Sequence, residues 1–450
     1  MAGGDGPGSG RGKFFRRLFR GLQQPPAEPR AQASSERDGD IVRGGGEEPL
    51  ARFNPAMQRR LPPGMAELLV CPPQQVGGDP QRFRLRVQCC CASAEDLNVE
   101  YGGPDLDLGT NIAPGGPPPA RFLDTVGNWS YDKGELANWL NQRRHRHQDK
   151  LELVVWDDTR FRIPWELLLL PADRELGLPR GHLGGLVTVT RWMSMKPWFP
   201  RYVRRFTNPN PYQASGPVVA YIADDMEHDR DILGDFVVHD ARGVENLFEI
   251  LAGEEILARD PAAFAMVYVA CHGEFGDDPG DCVLGGFPLG RAGRFSDDLP
   301  KLREQPTLVF LNGCRTGAIG LDTRKYNDGA LRGFAAVFLR CGATGVLATT
   351  GAVGREEAGA LAHVLIGHLK VNRDLTVADA VRRLRAAASR RILELLRTDI
   401  PEDERRAADE ELLSLLYPFM YVYFGSPRML MSFAQSGGLA GTGELAGTGG

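Results

Sequence analysis

The sequence is short of lysine, of cysteine and of long apolar runs, and each shortage excludes something. Lysine occurs 7 times against 46 arginines, an imbalance that reads as the codon bias of a GC-rich genome. Eight cysteines in 450 residues are too sparse for a disulfide scaffold, so free thiols in a reducing, intracellular compartment are expected. No stretch approaches the ~18 apolar residues of a transmembrane helix. The N-terminus lacks the apolar run and small-residue cleavage site of a secretory signal. A net charge of −5 leaves no basic domain of the kind that binds nucleic acid, and no nucleic-acid partner is expected. No unit of about 20–50 residues repeats. No P-loop occurs, and no GxGxxG stands between a strand and a helix.

Glycine and proline, in contrast, are in surplus, at 55 and 32 residues, or roughly 19% of the chain against an average near 12%. With 42% hydrophobic residues, the chain still has enough apolar material for a core. The surplus gathers in a flexible arm over residues 1–60, in a loop over 101–120 and in a Gly-rich tail over 434–450. One island breaks the arm. Over residues 12–22, Phe14, Phe15, Leu18, Phe19 and Leu22 fall within about 140° of one helical face, with Lys13, Arg16, Arg17 and Arg20 opposite. Such a cationic amphipathic helix, working through Phe14, Phe15, Arg16, Arg17, Leu18 and Phe19, suits an anionic membrane or the groove of a protein partner. The expected location is therefore cytoplasmic, with peripheral membrane contact as one use of the arm.

Residues 61–125 carry strand-like runs at Ala66–Cys71, Phe83–Cys91 and Leu97–Tyr101 and form a β-rich N-terminal region. From 126 to 433 apolar strand-like runs alternate with helical patterns. Leu151–Trp156, Val218–Ala223, Phe264–Cys271, Thr307–Leu311, Gly345–Thr349 and Met420–Phe424 read as strands. Lys133–Arg144, Val244–Ala258, Leu331–Arg340, Ala358–Lys370 and Val377–Leu396 read as helices. That alternation implies an α/β fold, a mostly parallel sheet with helices on both faces.

Two of these strands run straight into reactive residues. Phe264–Cys271 is followed by His272-Gly273, and Thr307–Leu311 by Asn312-Gly313-Cys314-Arg315-Thr316-Gly317. Ligands of open α/β sheets bind beyond the carboxyl ends of the strands. A thiol and an imidazole at two neighbouring strand ends face one crevice, the minimal equipment for acyl transfer. The backbone N–H groups of Gly273 and Cys314 would hold an oxyanion. Singly, a Cys ending a strand is an ordinary small hydrophobe; the shared Gly-flanked context is what raises the pair above that.

These two blocks resemble the CHAT family of caspase-like cysteine peptidases, which belongs with the caspases and separase. Three further blocks fit in order: Ile163-Pro164-Trp165-Glu166-Leu167-Leu168, Asp328-Gly329-Ala330-Leu331 through Arg340-Cys341-Gly342-Ala343, and Tyr417-Pro418-Phe419-Met420-Tyr421-Val422-Tyr423-Phe424-Gly425. The resemblance covers about residues 130–430 and implies a caspase-like peptidase domain over 126–433, with a His272/Cys314 dyad that cleaves peptide bonds of a specific protein substrate. By the same resemblance the setting is a regulated bacterial defence or cell-death response. The chain departs from the family after Gly345–Thr350, where Gly351-Ala352-Val353-Gly354 replaces the usual Trp-Pro and Asp segment, and at Tyr417, where the family often has His.

Other residues carry less. Asp277, Asp278 and Asp281 follow the histidine, and Asp328 lies near the cysteine block; as a substrate pocket they would favour Arg or Lys at the cleavage site, and they read equally as a solvated loop and a helix N-cap. Cys89-Cys90-Cys91 reads as part of a strand, whose side chains alternate faces and cannot share one ion. With no second ligand pair at zinc spacing, no metal and no cofactor are expected. His145 and His147 read as a solvated cationic helix end. Two rivals to the peptidase remain: a catalytically silent caspase-like module that binds a partner through its crevice, and a membrane-recruited adaptor in which the arm is the main function.

Overall fold

A computed structural model of the chain describes residues 61–436 apart from 72–81, 103–105, 109–111, 113–116, 158, 160–161, 194–209, 256–260, 262, 277–280, 293–298, 322–330 and 399. The amphipathic island and the Gly-rich tail beyond 436 lie outside the described residues. Eleven strands form one sheet: β1 (Met65–Cys71), β2 (Arg82–Cys89), β3 (Ala92–Gly102), β4 (Glu152–Asp157), β5 (Thr188–Trp192), β6 (Val218–Ile222), β7 (Val238–Asp240), β8 (Met266–Ala270), β9 (Leu308–Asn312), β10 (Gly345–Thr349) and β11 (Tyr421–Gly425). Their spatial order is β7-β6-β8-β9-β10-β11-β5-β4-β1-β2-β3. The five strands β7, β6, β8, β9 and β10 are mutually parallel. β11 turns antiparallel to β10 and leads into a second set, β5, β4 and β1, parallel to it and to one another. β2 and β3 close that edge as an antiparallel hairpin.

Every residue of β8, β9, β10 and β11 is buried, as the continuous apolar runs require of strands covered on both faces. Alternation sorts their side chains. Met266, Tyr268 and Ala270 enter one apolar layer, while Val267, Val269 and Cys271 enter the other. The first layer packs against α1 (Pro119–Tyr131), α2 (Gly134–His147), α5 (Arg355–Val371), α6 (Val377–Leu395) and α7 (Arg405–Met420), through residues such as Trp129, Leu140, Leu361, Leu384 and Leu415. The second packs against α3 (Val244–Ala252) and α4 (Phe334–Cys341), through Leu247, Phe248, Phe338 and Leu339. The expected fold class holds: an α/β sheet, parallel over the half formed by β7, β6, β8, β9 and β10, with helices on both faces. Among the described residues, no helix is long and apolar enough to cross a membrane.

Some elements differ from the sequence reading. The helix expected from Leu331 begins only after Gly333, because Leu331–Arg332 pairs as a short strand with Gly320–Leu321. The helix from Val244 ends at Ala252, where Gly253 takes a left-handed conformation (φ 78°), the usual glycine stop. α1, α7 and β5 have no counterpart in the sequence reading. α1 starts with Pro119 in its first turn, so the proline that ends a Gly/Pro-rich loop also begins a helix.

The Ile163–Leu168 block anchors the junction of the two strand sets. Trp165–Leu167 forms a single 3-10 turn that points Glu166 inward at 1% side-chain exposure. Glu166 accepts Nε–H of Arg191, on β5, at 2.9 Å and a second hydrogen bond from the same guanidinium. Arg385, on α6, lies 3.8 Å from the same Oε1 that accepts Arg191 Nε–H and donates to the carbonyls of Pro418 (3.3 Å) and Tyr421. Burial alone would push the Glu166 carboxyl up, but the two arginines outweigh it and hold the acid below the usual carboxylate range. Burial pushes Arg385 down to about 10. Glu166→Ala removes the carboxylate that two buried guanidinium groups share and is expected to cost about 3–5 kcal/mol. Chemical denaturation of the two proteins checks this, and a loss under about 1 kcal/mol, the scale of an exposed pair, would refute it.

Candidate active site

Three neighbouring strands deliver the site. β6, β8 and β9 lie side by side, and Ile222, Ala270 and Asn312 are level with one another across the sheet. Because all three run the same way, the residues that follow them emerge at one edge: Asp224–Asp229 in a 3-10 turn after β6, Cys271-His272 after β8, and Gly313-Cys314 after β9.

The His and Cys loops touch through their backbones. A Cβ on Gly273 would sit 2.3 Å from the Cys314 carbonyl oxygen, and a Cβ on Gly313 would sit 2.3 Å from the Cys271 carbonyl oxygen. Both distances are far inside van der Waals contact, so neither position accepts a side chain without moving the neighbouring backbone. At both glycines the space is filled by the chain's own backbone; at Gly317 likewise, a Cβ would meet Ala348 at 3.1 Å.

Below the loops, Asn312 joins three elements. Its side-chain amide donates to Asp229 Oδ2 at 2.8 Å, and its carbonyl accepts Tyr421 O–H at 2.5 Å. Tyr268 donates to the same Asp229 oxygen at 2.7 Å. All four residues are buried. Burial pushes the Asp229 carboxyl up, although the Tyr268 and Asn312 hydrogen bonds oppose it. The network ties the base of the Cys loop to β8, to β11 and to the turn after β6.

That turn also carries Asp225. The exposed His272 ring donates from Nε2 to Asp225 Oδ2 at 2.6 Å, and Arg355, at the start of α5, donates to the Asp225 carbonyl at 2.8 Å. The hydrogen bond from His272 holds the Asp225 carboxyl below the usual range, and the Arg355 charge adds to it. Asp225 is a site residue that the sequence reading missed. The signal was present, because the strand-end rule that found His272 and Cys314 applies equally to Val218–Ile222.

Cys314 is half-buried, and its thiol donates to the Val353 carbonyl at 3.6 Å. Arg315, next to it, stands at φ 56°, a left-handed conformation uncommon for a side-chain-bearing residue. Hydrogen bonds hold the turn on both sides: Arg315 N–H to the Gly351 carbonyl (3.0 Å), Gly317 N–H to the Thr349 carbonyl (2.7 Å) and Ala318 N–H to the Arg315 carbonyl (3.0 Å). Segment 351–354, where the chain departs from the family pattern, is thus the one that holds both the thiol and the residue after it. The neighbouring Cys271 is wholly buried, and burial pushes its thiol up to about 12, so it offers no competing thiolate.

A cavity of about 60 Å³ opens beside the Cys loop, lined by Gly317, Ala318 and Thr350 and by Asp157, Arg162 and Arg191. Of the acidic residues expected to shape a substrate pocket, Asp281 is exposed beside the short hairpin of Gly273–Glu274 and Val283–Leu284 and does not line this cavity. Asp277, Asp278 and Asp328 lie outside the described residues, as do Phe14, Phe15, Arg16, Arg17, Leu18 and Phe19.

A group with a depressed folded-state pKa contributes stability that is present above its unfolded value and lost as pH falls through its folded value. The contribution of the Asp225 carboxylate is therefore fully present above the ordinary Asp pKa of ~3.9 and is lost as pH falls below it. Carboxyl NMR is expected to place the Asp225 midpoint below that value, and His272→Ala to move it upward. An Asp225 midpoint indifferent to His272→Ala would sink the assignment.

Comparison with known proteins places part of this chain. The CHAT domain family model matches residues 238–401. No curated protein matches the chain. Among solved structures the chain is similar to two crystal structures of the Saccharomyces cerevisiae separase–securin complex. The first has a TM-score of 0.36 at 15% identity, covering 62% of this chain and 16% of that one. The second has a TM-score of 0.35 at 15% identity, covering 63% and 15%. This chain thus spans about a sixth of the length of those matched chains. The stretch that the CHAT domain family model matches, residues 238–401, contains both His272 and Cys314.

Proposed function

We propose that this protein is a caspase-like cysteine endopeptidase that cleaves a protein substrate with Cys314 as nucleophile and His272 as acid and base. The observation that carries the proposal is the seating of the His and Cys loops on each other, through Gly273 and Gly313, with Asp225 on the imidazole. The match of residues 238–401 to the CHAT domain family model supports it.

The Cys314 thiol loses its proton to His272, and the sulfur electron pair attacks the scissile carbonyl carbon, forming a C–S bond. The N–H groups of Gly273 and Cys314 stabilise the oxyanion. His272 returns the proton to the amide nitrogen, the C–N bond breaks and the amine leaves. His272 then takes a proton from water, whose oxygen attacks the thioester. The C–S bond breaks, the proton returns to sulfur, and the products are a carboxylic acid and the free thiol. Asp225 orients the imidazole and balances its charge while it is protonated. In the arrangement described, the thiol donates to Val353 and the imidazole to Asp225, so substrate has to draw the thiol off Val353. The acidic residues Asp277, Asp278 and Asp281 place negative charge after the histidine and favour Arg or Lys at the cleavage site. A regulated defence or cell-death response is the setting the family resemblance suggests.

A peptide carrying a thiol-reactive electrophile is expected to label Cys314 and to leave Cys271 unmodified. Cys314→Ala and His272→Ala are each expected to lower cleavage by roughly 10³-fold or more, by analogy with the loss of one member of a catalytic triad. Comparing new protein N-termini in cells that express wild type or Cys314→Ala identifies the substrate. An unlabelled Cys314, with no new termini, would replace this reading with a silent module that binds its partner through the same crevice.

The amphipathic island supports recruitment to an anionic membrane. Full-length protein is expected to co-sediment with vesicles containing phosphatidylserine, and Phe15→Asp to remain in the supernatant. Equal sedimentation of the two would remove the membrane role and leave the island as a protein-docking segment.

A further inference from the structure

At the other edge of the sheet, three cysteines and a histidine converge. β2 ends at Cys89 and β3 begins at Ala92, which pair directly, so Cys90 and Cys91 are the two-residue turn between them. This corrects the sequence reading, in which one strand spanned Phe83–Cys91 and its alternation sent the thiols to opposite faces. In a tight turn that alternation does not apply, and the thiols gather. Cys91 Sγ lies 3.2 Å from Cys89 Sγ, and Cys90 Sγ lies 3.9 Å from it. His147, the last residue of α2, brings Nε2 to 3.3 Å from Cys89 Sγ and 3.8 Å from Cys90 Sγ. All four donor atoms lie within 4.8 Å of one another.

We propose that Cys89, Cys90, Cys91 and His147 bind a zinc ion that fastens the β2–β3 hairpin to the end of α2. Zn–S bonds of ~2.3 Å and a Zn–N bond of ~2.0–2.1 Å in a tetrahedron set donor–donor edges of about 3.8 Å between sulfurs and about 3.5 Å between sulfur and nitrogen. The four shorter spacings bracket those edges, and with every pair within 4.8 Å, shifts of no more than about 1 Å close the site. Three soft sulfurs and one imidazole select zinc over magnesium or calcium. Three thiolates on Zn²⁺ leave one net negative charge. Arg146 and Arg143 supply positive charge, both near enough to act on His147, and Arg143 also faces Glu95 of β3 at 3.8 Å. Four protein ligands leave no open position, so the site is structural. Five strands separate β2 from β9 in the sheet, a span of about 29 Å at ~4.8 Å per strand, so the zinc takes no part in chemistry at Cys314 and the inference stands or falls apart from the peptidase reading.

Full-length protein purified under reducing conditions is expected to contain about one zinc per chain by elemental analysis. Cys91→Ser and His147→Gln are each expected to weaken zinc binding roughly 100-fold or more, beyond the 10–100-fold typical of losing a group that only supports a ligand. Cys71→Ser is expected to keep the zinc, and circular dichroism confirms that the variants are folded. Cobalt in place of zinc is expected to give thiolate charge-transfer and tetrahedral d–d absorption that weakens in Cys91→Ser. Three outcomes would overturn the proposal: wild-type protein without zinc, the same zinc content in wild type and both ligand variants, or a Cys89–Cys91 disulfide in freshly reduced protein.

Discussion

The site depends on a contact in which no side chain takes part. Two loops, each leaving the carboxyl end of a buried parallel strand, press backbone to backbone at Gly273 and Gly313, with room for a hydrogen and not for a carbon. Strand pairing alone would leave the two loops about 4.8 Å apart at their roots and free to diverge above them. The reciprocal contact removes that freedom. It fixes the imidazole-bearing loop relative to the thiol-bearing one before any ligand arrives, the preorganisation on which the proposed reaction would draw.

Two further arrangements hold that contact in place. Beneath it, the buried Asn312–Asp229–Tyr268–Tyr421 hydrogen bonds link the Cys loop to strands on both sides. Such a network is favourable only when its members are satisfied together, so it specifies one register of these strands and disfavours the alternatives. Above it, segment 351–354 caps the left-handed Arg315 and accepts a hydrogen bond from the thiol. The thiol thus lies between a rigid base and the segment where the sequence departs from the pattern it otherwise resembles.

The second strand set gives the sheet its length. β5, β4 and β1 run with β11 and against the parallel set, and the buried Glu166–Arg191–Arg385 cluster sits where the sets meet. Residues from both sets line the cavity beside the Cys loop. The hairpin of β2 and β3 continues the same sheet to its far edge, where the thiols and His147 converge.

Much of this was legible in residue order. Continuous apolar runs gave the buried strands, because a strand covered on both faces has no polar side to show. Amphipathic period gave α2, α5 and α6. The rule that ligands bind beyond strand ends picked out His272 and Cys314. It stopped short of Asp225, whose strand is equally apolar but whose Asp224-Asp225 pair reads as an ordinary turn. α1 was hidden because its first residue ends a stretch rich in glycine and proline, and the Cys89–Cys91 cluster because the apolar run continues two residues past the end of the strand at Cys89.

By itself, then, the sequence determined the buried central strands and the helices α2, α5 and α6, on which strand ends the thiol and the imidazole sit, and that both faces of the sheet are covered; these follow from local patterns of side-chain polarity. Only the tertiary structure decided which strands are neighbours, that Gly273 and Gly313 face backbone, that Asp225 meets His272 across 47 residues, and that His147 meets Cys89 across 58. Contacts of that separation are set by how strands order in a sheet and where turns fall, and no local pattern carries that information.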